Sequence, residues 1–152
     1  LLSMKENETL LDKANQNLNI ANTLYETYRY DDEAYLNYVG YHLQQSVELS
    51  LKFCLEINGV EYPKTHDITQ LIALINKSEV DIPLTEYIDD HSEMFSLWES
   101  RTRYILNYRL EEKKVERALT ETYRFISCIC EEYNLHLDKS YSEESLEDEN
   151  EL

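Results

Sequence analysis

Apolar positions recur at steps of three and four along most of the chain, the spacing that lines one face of an α-helix. From Glu8 to Tyr28 the stripe is Leu11, Ala14, Leu18, Ala21, Tyr25 and Tyr28. Tyr30-Asp31-Asp32 breaks it, and either aspartate suits the N-cap of the next helix. A second helix is predicted to about Asn58, with Tyr35, Val39, His42, Ser46, Leu49, Phe53 and Ile57 on one stripe. Gly59 falls where a left-handed residue after the helix is wanted, and Pro63 stops any continuation. Asp67-x-x-Gln70 reads as a capping box opening a short third helix, Ile68 to Ile75. A fourth helix is expected over about Leu84 to Leu110, carrying Tyr87, Ile88, His91, Met94, Phe95, Trp98, Arg101, Ile105 and Tyr108. A fifth runs from Glu112 to about Asn134 on Val115, Leu119, Thr122, Ile126, Ile129 and Tyr133. The pattern predicts an all-α protein, an antiparallel (up-and-down) four-helix bundle with an additional short helix. The bundle is expected over residues 5–136; residues 137–152 read as an acidic, disordered tail without apolar period.

Composition narrows the picture. With 152 residues, of which 42% are hydrophobic, the chain is long and apolar enough for one buried core. Two glycines and two prolines are too few for sandwich or barrel turns, and no Gly-rich strand-to-helix turn can be assembled. The charge is −17, from 31 acidic and 14 basic residues, so a nucleic acid would have to meet a local basic site. Six of the acids lie between Ser140 and Leu152, and the body stays acidic without them. Cys54, Cys128 and Cys130 are odd in number, with no Cys-x-x-Cys pair and no secretory signal, which reads as reduced thiols in a cytoplasmic protein. No apolar run is long enough to span a bilayer, so no membrane partner is expected.

Candidate chemistry is sparse. His42, His66, His91 and His136 lie on separate segments, and His91-Ser92-Glu93 places its two ligand types on different faces of a helix. No metal and no cofactor are therefore expected. Cys128 and Cys130 share that spacing and read as packing residues. The serines lie in helices or the tail, with no elbow to present a nucleophile. The second helix is more informative. Gln45, Glu48 and Lys52 form a polar strip beside the apolar stripe, with Glu48 and Lys52 in the favourable i,i+4 order of an ion pair. The strip reads either as a structural network on the helix rim or as a groove in which Lys52 is the ligand's cation.

This helix resembles that of the HEPN superfamily, whose pattern is His, one residue, Gln-Gln, two small residues, Glu, three residues, Lys. Here the pattern is His42, Gln44, Gln45, Ser46, Val47, Glu48 and Lys52. Gly59 comes next, then Pro63-Lys64-Thr65-His66-Asp67-Ile68 with Leu71 and Ile72, and an Arg103-Tyr104 pair late in the fourth helix. The likeness covers about Glu8 to Tyr133, and its motifs are specific together rather than singly. It implies a bundle of four antiparallel helices plus a short one, a homodimer, and a nucleotidyltransferase or antitoxin as partner. Many members are ribonucleases with an Arg, four to six spacer residues and a His: the cation holds the scissile phosphate while the imidazole moves the 2′-hydroxyl proton.

Here the chain departs from that frame. Arg101-Thr-Arg103-Tyr-Ile-Leu106-Asn-Tyr108 fits Arg-x4-His-x-Tyr with Leu106 in the His position. Counting from Arg103 reaches Tyr108, Arg109 and Leu110. A phenol is a poor base at neutral pH. No catalytic residue is assigned. The expected function is a non-catalytic binding module for a nucleotide or RNA, part of a toxin–antitoxin or nucleotidyltransferase pair. The alternative is a ribonuclease with an unorthodox site around Arg101, Arg103 and Tyr108. Candidate ligand residues are Lys52, Lys64, His66, Arg101, Arg103, Tyr104 and Tyr108, the first five expected as one positive patch, with Gln45 and Glu48 as a structural network. Tyr38, Tyr41 and Tyr108 are expected at a dimer interface formed by the second and fourth helices.

Overall fold

A computed structural model describes residues 8–137, so the expectation of a disordered tail falls almost wholly outside the described residues. These residues form six helices and no strand: α1 (Leu10–Tyr28), α2 (Tyr35–Ile57), α3 (Ile68–Ser78), α4 (Glu86–Asp90), α5 (Ser92–Tyr104) and α6 (Glu112–Glu132). The protein is all-α, as its periodicity requires.

α1 obeys its sequence signals closely. Thr9 and Asp12 close a capping box at its start, and Leu11, Ala14, Leu18, Ala21 and Tyr25 are all buried. α1 and α2 pair antiparallel: Ser46 Oγ donates to the Ala14 carbonyl at 2.8 Å, His42 Nδ1 bonds Asn17 at 2.9 Å, and Tyr28 stacks on Tyr35. The start of α2 differs from expectation. Its N-cap is Ala34, without a side-chain bond, while Asp32 accepts the Ala34 N–H just ahead.

α2 is the axis of the fold, packing against α1, α3, α5 and α6. It is therefore buried nearly all round, and its expected single stripe is corrected. Leu36, Leu43, Val47, Leu51, Cys54 and Leu55 are core residues, whereas Tyr35, His42 and Leu49 are half-buried and Ile57 is exposed. Gly59 has φ of +70°, the left-handed turn expected of it. Asp67 caps α3 through the Thr69 N–H, but Gln70 does not close a box; the Thr65 hydroxyl accepts the Asp67 N–H instead.

The expected fourth helix is the main correction. It breaks at His91 and ends at Tyr104, leaving residues 105–111 outside any helix. That stretch contains no Gly or Pro to announce a break. Its cause lies on α2: the Asn37 amide donates to the Tyr108 carbonyl at 2.6 Å and accepts the Leu110 N–H at 3.1 Å. Two backbone groups that would serve a helix are held by one buried side chain. Leu110 then packs where α2 has only Gly40, at which a Cβ would collide with the Leu110 side chain and lie 3.2 Å from the Trp98 ring.

Candidate functional site

The polar residues of α2 form a buried network rather than a rim. Gln44, Glu48 and Lys52 succeed one another at steps of four, on one face of the helix. Glu48 is 2% exposed. Its Oε1 accepts the Gln44 amide at 3.0 Å and the His66 Nδ1 proton at 3.1 Å, and its Oε2 accepts Lys52 Nζ at 3.1 Å. Three donors thus converge on one buried carboxylate, which is what its desolvation requires. Gln45 stands one bond further out, donating to Gln44 Oε1 at 2.7 Å. Gln44 is the network member that the strip of Gln45, Glu48 and Lys52 left out; the i,i+4 step from Gln44 to Glu48 was its signal.

Lys52 is therefore engaged within the fold. Its side chain is 14% exposed, and its ammonium is bonded to Glu48 and lies 5.7 Å from the centre of the Tyr62 ring. Burial, reinforced by the Glu56 carboxylate that accepts its proton, pushes the Tyr62 phenol up to about 12. His66 keeps most of its ring surface open while its Nδ1 is bound to Glu48. Lys64, next to it, is exposed.

The arginines lie elsewhere. Arg103 is bonded to the Glu99 carboxylate and to its carbonyl, and its guanidinium stands 5.0 Å from the Tyr41 ring centre and 4.8 Å from that of Tyr104. Tyr41 and Lys52 are eleven positions apart on α2, or about 16 Å along its axis. The single positive patch expected from the sequence is thus two groups: Lys52, Lys64 and His66 at one level of α2, Arg101 and Arg103 near the other end of α5. Arg101 is exposed and has no bonded partner among the described residues.

The segment after Tyr104 presents apolar side chains to the surface. Leu106, in the position of the imidazole in the Arg-x4-His frame, is 92% exposed; Tyr104 is 70%, Tyr38 59% and Ile105 44% exposed. Tyr108 is half-buried, its carbonyl tied to Asn37, and Arg109 donates to the Leu106 and Tyr108 carbonyls. None of the imidazoles bonds to either arginine. His42 meets Tyr41 edge-on but is tied to Asn17, and burial lowers its pKa. His91 is bonded to the Tyr87 carbonyl, and His136 lies beyond the end of α6. Among the described residues, the group bonded to the arginines at this edge is the Glu99 carboxylate, and no imidazole reaches them. Among the described residues no group of three or more His, Cys, Asp or Glu is arranged to hold a metal ion. No helix among them is long and apolar enough to cross a membrane.

The chain is thus an all-α domain built round a helix with Gln-Gln, Glu and Lys in a buried network, followed by a Thr-His-Asp cap. The model of the HEPN domain matches residues 7–133, and the chain belongs to that family. No curated protein and no solved structure matches the chain.

Proposed function

We propose that the chain is a non-catalytic HEPN binding module that acts as a homodimer and engages a phosphate-bearing ligand, a nucleotide or RNA. In this reading it is one half of a toxin–antitoxin or nucleotidyltransferase pair. One observation carries the proposal: Leu106 stands in the imidazole position of the Arg-x4-His frame, on a segment outside any helix, with no other histidine bonded at that edge. Without a group that titrates near neutrality, the arginines can bind a phosphate but cannot move the 2′-hydroxyl proton. In the proposal Arg101, Arg103, Tyr104 and Tyr108 contact the ligand or the second copy, with Lys64 an outlying cation. Lys52, His66, Gln45 and Glu48 support the fold beneath them.

Wild type and Leu106→His are compared on a structured RNA without metal. Wild type is expected to cleave at background, since losing a general base removes roughly 10²–10⁴ in rate. Robust cleavage by wild type, abolished by Arg101→Ala or Arg103→Ala, would overturn the proposal in favour of a ribonuclease centred on Arg101, Arg103 and Tyr108.

A further inference from the structure

Cations are scarce in this chain, 14 against 31 acids, yet three of them meet at one cleft. The cleft measures about 460 Å³ and is lined by Tyr87, His91, Met94, Lys113, Lys114 and Arg117. No carboxylate is among its walls. Its volume falls in the range of small-molecule sites, and it shares no residue with the candidate set on α2 and α5.

The walls have a definite chemistry. The Tyr87 and His91 rings stack, with centres 3.9 Å apart and planes inclined by 19°. The Arg117 guanidinium lies 5.7 Å from the Tyr87 ring centre. His91 Nδ1 donates to the Tyr87 carbonyl at 2.8 Å, since a carbonyl oxygen only accepts. Nε2 is left without a bonded partner among the described residues. Stacked rings beside cations are the combination with which proteins hold a base and its phosphate.

These cations also work against their own helix. Lys113 and Lys114 sit in the first turn of α6 and Arg117 in the next, at the end where the helix dipole favours acids. Glu121 lies 3.1 Å from Arg117 and Glu111 3.8 Å from Lys114, but Lys113 has no bonded partner among the described residues. Choices that oppose local stability are expected where a ligand compensates them.

We propose that this cleft binds a nucleoside phosphate, its base against the Tyr87–His91 pair and its phosphate on Lys113, Lys114 and Arg117. His91 Nε2 adds a polar contact. The ligand is a free nucleotide or one unit of an RNA strand, whose chemistry at the cleft is the same. The cleft rests on the binding-module reading and adds to it a place that reading does not use.

Calorimetric titration of the full chain with AMP, adenosine, inorganic phosphate and a 5′-phosphorylated hexa-adenylate tests it. AMP or the hexanucleotide is expected to bind, with adenosine and phosphate each at least about tenfold weaker. Binding of AMP identifies a free nucleotide; binding of the hexanucleotide alone identifies a strand. Lys113→Glu should weaken binding at least about tenfold while leaving the melting temperature unchanged or raising it, because an acid suits that helix position. Lys77→Glu, the same charge change on α3, should leave affinity unchanged. The proposal is overturned if wild type binds neither nucleotide, if adenosine or inorganic phosphate binds as well as AMP, or if the two lysine variants behave alike. RNA cleavage by wild type would leave this cleft standing, and a silent titration would leave the cleavage result standing.

Discussion

Glu48 carries its charge at 2% exposure and is held by an amide, an ammonium and an imidazole. Removing one member of such a set leaves the others buried and unmatched, which is costlier than the set itself is worth. Glu48→Ala should therefore lose about 3–5 kcal/mol of stability in urea unfolding; a loss under about 1 kcal/mol would mean that water reaches Lys52 in its place. Asp67 gives a pH-dependent counterpart. Its carboxylate accepts from Thr69 and Ser96, and these bonds hold its pKa below the ordinary 3.8 despite the opposing effect of burial. A carboxyl depressed in the folded state contributes stability that is fully present above its ordinary pKa and lost as pH falls through the folded value. Asp67→Asn keeps a capping side chain, so the decline in urea midpoint below about pH 4 should flatten while the neutral value barely moves. An undiminished decline would assign the acid sensitivity to other carboxylates. At this scale the sequence was partly legible. Glu48–Lys52 spacing announced an ion pair, whereas its burial depended on how many helices surround α2, which no single helix encodes.

Among the helices, legibility depends on the number of neighbours. α1 packs mainly against α2, and its stripe was readable from Leu11 to Tyr25, although Tyr28 is half-buried and Asn15 and Asn22 join the buried face. α2 has four neighbours, so its period-3.6 signal is blurred by apolar residues on most sides. The predicted fourth helix failed for another reason: its apolar spacing continues past Tyr104, but the Asn37 side chain draws the Tyr108 and Leu110 backbone out of it. Local propensity lost to a contact more than 70 positions away in sequence. The candidate arginines were visible from their spacing, but their separation from Lys52 and His66 was not. Gly40 lies under the same junction. Gly→Ala in a helix ordinarily gains about 1 kcal/mol, but overpacking costs about 1–3 kcal/mol, and the new methyl would displace Leu110 against Trp98. Gly40→Ala should thus lose up to about 2 kcal/mol and open residues 105–111 to limited proteolysis. A gain in stability, with the loop still protected, would show that Leu110 moves without cost.

Over the whole molecule, the net charge of −17 and the exposed apolar edge of Tyr38, Tyr104, Ile105 and Leu106 oppose each other. If that edge joins two copies, their like charges repel, and salt relieves the repulsion while leaving apolar contact in place. Sedimentation should find dimers that strengthen from about 0.05 to 0.5 M salt, and Leu106→Glu should dissociate them. A monomer at tens of micromolar at both salt levels would remove the homodimer from the proposed function. The placement of α2 has one more consequence, for a chain made from its N-terminus. The α1–α2 pair is complete before any of α3, α5 or α6 exists to cover it, and domains assemble in the order of synthesis. Until residue 66 and the helices beyond it arrive, the Gln44, Glu48 and Lys52 side chains face water. The group that is costliest to bury in the finished protein is thus the one that keeps its half-made helical hairpin hydrated on the ribosome.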